Sequence, residues 1–202
     1  VLTYDVRAFT QQAPYAPDRP NPIMNLDGRQ LAEAAAVVYA ANGIKIYMYD
    51  GVRSTPQLSF TIRHLNAVSG DMFSASHNLP TDNGKKVYDQ YGGQLIPPQD
   101  QFLVDEVTRN VEDIRTMPFE EACTQGLVEM IGPEIDQAYQ DAVIPLSLSA
   151  ARKIKILYAP LHGTGLTSVH PILEKLGFDI VLDPHTANLS GAFENVTFNI
   201  PN

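Results

Sequence analysis

The stretch Ser74-Ala75-Ser76-His77-Asn78-Leu79-Pro80-Thr81-Asp82-Asn83-Gly84-Lys85-Lys86 brings together two serine hydroxyls, an imidazole and two lysines. Those side chains can supply a nucleophile, a proton donor and cations for a phosphate. A plainer reading is a surface hairpin turn at Asn83-Gly84 with polar decoration. Two arginines are further candidates for anion recognition, because a planar guanidinium can donate two bonds to one phosphate. Arg7 follows the run Leu2-Thr3-Tyr4-Asp5-Val6, and Arg53 stands in Arg53-Ser54-Thr55-Pro56. The plain alternatives are an exposed Arg7 paired with Asp5 and a helix-capping role for Ser54 or Thr55.

These residues depend on the elements that carry them. Leu2-Thr3-Tyr4-Asp5-Val6 reads as a first strand. Asp27 with Gln30 three residues on fits a capping box, and Leu31, Ala35, Val38 and Ala41 repeat at helical spacing up to Asn42-Gly43. Ile44, Ile46 and Met48 alternate as a second strand. Thr55-Pro56 starts a helix with Leu58, Ile62 and Leu65 on one face. Met72-Phe73, just past Gly70, reads as the end of a buried third strand. Strand, helix, strand, helix, strand is the order of parallel strands joined by right-handed crossovers. It predicts Arg7, Arg53 and Ser76 on one rim of one sheet, the edge where open α/β sheets bind ligands.

Further on, Lys86-Val87-Tyr88 and Gly93-Gln94-Leu95-Ile96 read as short extended segments. A helix after Pro97-Pro98 would carry Leu103, Val107, Val111 and Ile114 on one face. The region from Pro118 through Ile131 is ambiguous, Pro133 to Ala142 is helical, and Pro145 to Ser149 is a linker. A fresh unit begins near Lys153, with strand Ile154 to Tyr158, the turn Leu161-His162-Gly163-Thr164-Gly165, an apolar helix and strand Ile180-Val181-Leu182. The Gly-x-Gly there has Ser168 at the third glycine position, which argues against a dinucleotide loop. The proline-rich run from Ala8 to Asn25 is long for a connection and reads as a lid or disordered insertion.

With 202 residues and 44 % apolar content the chain can bury a sizeable core. Fourteen Lys and Arg against 23 Asp and Glu leave a formal charge of −9, which disfavours nucleic acid or an anionic membrane as partner. One cysteine, Cys123, excludes an intramolecular disulfide and a cysteine-based zinc site. No apolar run has membrane length and Val1 opens no signal-peptide pattern, so the expected location is cytoplasmic.

Ser-Ala-Ser-His-Asn, then Asp-Asn-Gly, then Lys86-Val87-Tyr88 closely resembles the phosphoserine loop of the α-D-phosphohexomutases, the phosphoglucomutases and phosphomannomutases. Leu79 stands where that pattern has proline, with Pro80 one place later. The Tyr4-Asp5-x-Arg7, Arg53-x-Thr-Pro and His162-Gly-x-Gly segments are similar to others of the family. The resemblance implies an α/β fold with a mixed, mostly parallel sheet flanked by helices over residues 1–150, and a second similar α/β domain starting at 151–202. It implies that Ser76 carries a transferable phosphoryl group, with Lys86 and His77 at the chemistry. Arg7, Tyr4, Arg53 and Asn78 would then lie on the substrate phosphate. The His-Gly-x-Gly histidine is expected to shape its turn.

The implied reaction moves a phosphoryl group between the 1- and 6-oxygens of a hexose phosphate through a hexose bisphosphate. It would use Mg²⁺, with the Ser76 phosphate as one ligand. The aspartates of the family's Asp-x-Asp-x-Asp loop do not occur in this sequence, so this stretch is expected to be inactive alone, the first domain and part of the second of a four-domain architecture. The partner is a small-molecule sugar phosphate; the oligomeric state is open. Lys-Val-Tyr and Gly-Gln-Leu-Ile-Pro-Pro also resemble a subgroup with phosphopentomutase activity. A phosphosugar-binding pseudoenzyme and an NAD-binding domain using Gly163 and Gly165 are the readings from other classes.

Overall fold

A computed structural model describes residues 1–14 and 16–197. The final Asn199-Ile200-Pro201-Asn202, which resembles the family's approach to its metal loop, lies outside the described residues. The sheet that positions Ser76 has five strands in the order β4-β3-β1-β2-β5. They are β1 (Leu2–Tyr4), β2 (Ile46–Tyr49), β3 (Ser69–Phe73), β4 (Lys85–Asp89) and β5 (Val128–Ile131). All neighbours run parallel except β3 and β4. The first three strands therefore end on one edge, and the mostly parallel α/β architecture read from the sequence holds.

The helix α1 (Gly28–Ala41) begins on the capping box read from the sequence: the Asp27 side chain accepts from Gln30 N while the Gln30 side chain accepts from Asp27 N. Its small residues Ala32, Ala36 and Ala40 lie fully buried against Leu2, Tyr4, Met48 and Phe73, with Ala122 of α4 (Phe119–Thr124) in the same core. On the other face α2 (Thr55–His64) buries Leu58 and Ile62 against Met72 and Tyr88. Proline stands in its first turn, as expected, but Ser54 at the N-cap makes no capping hydrogen bond. Beside it α5 (Pro133–Val143) packs Ile135 on Tyr49 and Ile131.

Two expectations are revised. The helix after Pro97-Pro98 is α3 (Gln99–Asn110); it stops before Val111 and Ile114, and no residue of it is buried. Its apolar stripe faces no core: Phe102, Leu103, Val104 and Val107 are exposed. The Ala8–Asn25 segment is irregular but tied down: Phe9 is buried, its N–H donates to Leu26 O at 2.8 Å and its carbonyl accepts from Asn25 N at 2.8 Å. The ambiguous stretch supplies α4 and the edge strand β5.

After a 3-10 turn at Ile144–Leu146, a separate two-stranded parallel sheet forms from β6 (Lys155–Tyr158) and β7 (Asp179–Leu182), joined by α6 (Gly165–Lys175). His162, at the turn before α6, is buried with φ 63°. Its N–H donates to Thr186 O at 3.0 Å and its Nδ1 lies 3.1 Å from Asn188 O, so it shapes the turn as expected.

Candidate active site

Ser76 sits just past the end of β3, in a conformation few non-glycine residues adopt: φ is 56°. Local bonds hold it there. The Ser76 N–H donates to Ser74 Oγ at 3.0 Å, and Ser74 Oγ donates to Asp5 Oδ2 at 2.7 Å. Across the loop, Ser74 N donates to Gly84 O at 2.9 Å. A methyl at Gly84 would stand 2.9 Å from Ser74 O, so the Asn83-Gly84 turn needs its glycine to close the loop onto β3. The plain hairpin reading holds: β3 and β4 are antiparallel neighbours, and their connection carries the Ser76 hydroxyl.

Arg7 is 2 % exposed, so the exposed ion pair considered as its plain alternative does not form. Its Nη1 donates to Asp5 Oδ2, while Nη2 donates to two loop carbonyls, Ser76 O at 3.1 Å and Asn78 O at 2.9 Å. Phe193 closes the remaining face, with its ring centroid 5.3 Å from the guanidinium carbon.

The two lysines part company because successive strand residues face opposite sides of a sheet. Lys86, paired with Met72 on the α2 face, puts Nζ in hydrogen-bond contact with Ser76 Oγ. Lys85 turns to the α1 face, where Nζ donates to Asp71 Oδ2 and to Tyr39 Oη, each at 2.9 Å. It is a half-buried ion pair and not a free surface charge. Burial works against its charge, but Asp71 and the Tyr39 bond outweigh that and raise its pKa above the ordinary lysine value.

A cleft of about 440 Å³ opens over this loop. Asp5, Arg7, Thr55, Ser74, Ser76 and His77 line it from the five-stranded sheet; Tyr158, the Gly163–Gly165 turn and Phe193 line it from the other side. Burial raises the Tyr158 phenol above its usual pKa. Of the residues singled out in the sequence, Ser76, His77 and Arg7 meet here, and Lys86 reaches the same hydroxyl. Asn78 contributes its backbone carbonyl to Arg7, and its side chain is exposed.

Arg53 and Tyr4 stand elsewhere. Arg53 closes a bidentate pair on Asp136, Nε to Oδ1 at 2.6 Å and Nη2 to Oδ2 at 2.7 Å, and Nη2 also reaches Asp50 at 3.1 Å. Thr55, two residues on, is the member of that segment that lines the cleft. Tyr4 belongs to the core under α1, where burial raises its phenol pKa. Sequence reasoning passed over Ser74 as a brace and Asp5 as an anchor, although both lie inside the motifs that drew attention. Nothing in local sequence marked Phe193.

Residues 24–113 match the family model for phosphoglucomutase/phosphomannomutase, alpha/beta/alpha domain I. Phosphoglucomutase of Staphylococcus saprophyticus is 33 % identical over 188 residues, covering 89 % of this chain and 34 % of that protein. Human phosphopentomutase is 28 % identical over 191 residues, covering 90 % of this chain and 28 % of the relative. The chain belongs to the phosphoglucomutase/phosphomannomutase family.

Solved structures of the family share the fold. A phosphomannomutase from Thermus thermophilus superposes with a TM-score of 0.72 at 23 % identity, over 98 % of this chain and 40 % of that one. A phosphoglucomutase/phosphomannomutase family protein from Burkholderia thailandensis gives 0.67 at 17 % identity, over 96 % and 37 %. The chain thus spans about a third of the length of the curated relatives it matches.

A magnesium ion of the kind the resemblance implies needs several oxygen ligands, carboxylates chief among them. Among the described residues no group of three or more His, Cys, Asp or Glu side chains could hold an ion. Asp5, the carboxylate of the cleft, is already engaged by Arg7 and Ser74. The described residues alone do not make a magnesium site. Nor, among them, is any helix long and apolar enough to cross a membrane.

Proposed function

We propose that the full-length protein is a phosphosugar mutase in which Ser76 carries the transferred phosphoryl group. The observation that carries this reading is the contact between Lys86 Nζ and the Oγ of Ser76, a residue that lines the cleft. A serine hydroxyl is a weak nucleophile unless a neighbour handles its proton, and Lys86 is the side chain that touches Oγ. In the forward step a sugar hydroxyl attacks phosphorus on Ser76, the P–Oγ bond breaks, and Lys86 donates to the departing Oγ. In the return step Oγ attacks the other phosphate of the bisphosphorylated sugar and its proton passes to Lys86, while the bond from that phosphorus to the sugar oxygen breaks and the freed oxygen takes a proton from His77. His77, an exposed residue that lines the cleft, takes the proton of the attacking sugar hydroxyl on this reading. Arg7 acts one step back, holding the loop by its carbonyls.

Magnesium would take the Ser76 phosphate as one ligand, with its other ligands outside the described residues. On this reading residues 1–150 form the first domain and a second starts at 151, and these 202 residues give no turnover when assayed alone. Both hexose and pentose phosphates fit as substrates, since a phosphoribomutase of Saccharomyces cerevisiae is 30 % identical over 193 residues, beside the phosphoglucomutase and phosphopentomutase.

The test is label transfer. Incubated with labelled glucose 1,6-bisphosphate, the full-length protein takes one phosphoryl group per chain, and peptide mapping finds it on Ser76. The Ser76→Ala variant takes none and turns over neither glucose 1-phosphate nor ribose 1-phosphate. Undiminished turnover in that variant overturns the proposal, and a wild-type protein that binds the sugar phosphate without taking label is a binding protein and not a mutase.

A further inference from the structure

We propose that the Gly191–Phe193 turn, which follows the second sheet, is a positioning element for the Ser76 loop and acts through Arg7. The contact between the two is backbone to backbone. A methyl group at Gly191 would lie 2.6 Å from both Ala8 N and Val6 O and 2.7 Å from Arg7 Cα. Only glycine lets the turn come this close, and the three nearest atoms are all main chain, which cannot swing aside.

Two residues later, Phe193 is 2 % exposed and holds φ at 49°. A left-handed phenylalanine persists only where its surroundings over-determine it. Here that conformation goes with a ring set against the Arg7 guanidinium, 5.3 Å from its carbon, within the range of a cation–π contact. The turn is anchored in its own unit as well: Ser190 N donates to His162 O at 3.4 Å and Asn188 O meets His162 Nδ1 at 3.1 Å. The ring is therefore presented from a braced platform.

The allocation of Arg7's donors makes this matter. Nη1 is spent on Asp5 and Nη2 on Ser76 O and Asn78 O, while among the described residues the buried Nε has no acceptor. The side chain's orientation is fixed by Asp5 on one edge and by the Phe193 face on the other. Without the ring one face of the guanidinium is uncovered, and the Asp5 pair alone is left to aim the common donor of the Ser76 and Asn78 carbonyls. The second unit would then set the geometry of the Ser76 loop without touching the hydroxyl itself.

The functional arm of the test rests on the reading of Ser76 as phosphoryl carrier; the structural arm does not. Phe193→Leu keeps apolar volume but removes the ring face. Val196→Ala trims another buried residue of the same segment that does not line the cleft. In full-length protein, amide exchange at Ser76 and Asn78 and the Arg7 Nε–H resonance report the loop directly, and single-turnover label uptake from glucose 1,6-bisphosphate reports function.

Phe193→Leu is expected to speed exchange at Ser76 and Asn78 about tenfold, the factor for loss of an ordinary cation–π contact, and to move the Arg7 Nε–H resonance out of its ring-current position. Label uptake should slow in its maximal rate, with the half-saturating bisphosphate concentration unchanged. Val196→Ala should leave all of these at wild-type values. Wild-type exchange in Phe193→Leu, or an equal effect from Val196→Ala, overturns the inference. If the wild type takes no label while the exchange difference stands, the reading of Ser76 falls and the positioning role survives.

Discussion

Arg7 and Arg53 leave the same edge of one sheet, from the ends of neighbouring parallel strands, and their surroundings look alike. Each is at least nine-tenths buried, each bonds a carboxylate, and each has an aromatic ring near its guanidinium carbon, Phe193 at 5.3 Å and Tyr49 at 5.2 Å. They differ in what the carboxylate leaves over. Asp5 engages one amino group of Arg7 and frees the other for the Ser76 loop. Asp136 takes Arg53 Nε and Nη2 in a fork-to-fork pair, Asp50 shares Nη2, and Nη1 goes to Val52 O. Burial opposes the Arg53 charge, yet the Asp136 bonds and the neighbouring charges raise its pKa above the usual value. A strand-end arginine can thus hold the Ser76 loop only if its carboxylate partner leaves part of the fork over for the loop carbonyls.

The largest expected effect comes from breaking the Arg7 side of that comparison. Arg7→Met leaves Asp5 buried without its cation and frees both loop carbonyls. Urea denaturation should show a loss of about 3–5 kcal/mol, the range for removing one partner of a buried pair. Label uptake at Ser76 should fall with it under conditions where the variant is still folded. Arg53→Met should cost less, about 2–3 kcal/mol, because Asp136 keeps a bond from Gln57 Nε2 at 2.5 Å and is partly exposed. Folded Arg53→Met should take up label as the wild type does. Equal loss of uptake in the two variants would erase the distinction between the two arginines.

The contrast also explains how far the sequence could be read. The capping box at Asp27, the proline at the start of α2 and the alternation in β2 are local signals, and each produced its element. The order of those elements alone puts Arg7, Arg53 and Ser76 on one edge. What failed is not local. Asp136, which removes Arg53 from the cleft, lies on α5 and meets it only because α5 packs beside α2. Phe193 meets Arg7 only because a turn after the second sheet comes against Val6–Ala8. The apolar residues of α3 carry a helical stripe, but periodicity says which residues share a face and not whether anything covers it. Tyr4, adjacent to Asp5, points into the core for the plain reason that strand residues alternate.

The adjacent lysines give the finest version of the comparison and the smallest effect. Lys85→Met removes a bond to the buried Asp71 carboxylate, but Asp71 keeps the Tyr39 hydroxyl at 2.7 Å and the Lys85 side chain is 40 % exposed. After allowance for solvent screening the expected loss is about 1 kcal/mol. Its pH dependence has a fixed sign. The Lys85 pKa is raised in the folded protein, so its contribution is complete below the unfolded value of 10.5 and fades as pH climbs through the folded one. Wild type and Lys85→Met should therefore differ in stability at pH 8 and converge in strongly alkaline solution. Lys86→Met, which has no carboxylate partner among the described residues, should change stability by less than about 0.5 kcal/mol and yet abolish the contact with Ser76 Oγ. Denaturation curves at the two pH values, run beside label uptake, check both halves. Loss of uptake in Lys85→Met as deep as in Lys86→Met would mean that the two faces of β4 are not independent, and that Lys85 holds the strand register on which Lys86 depends.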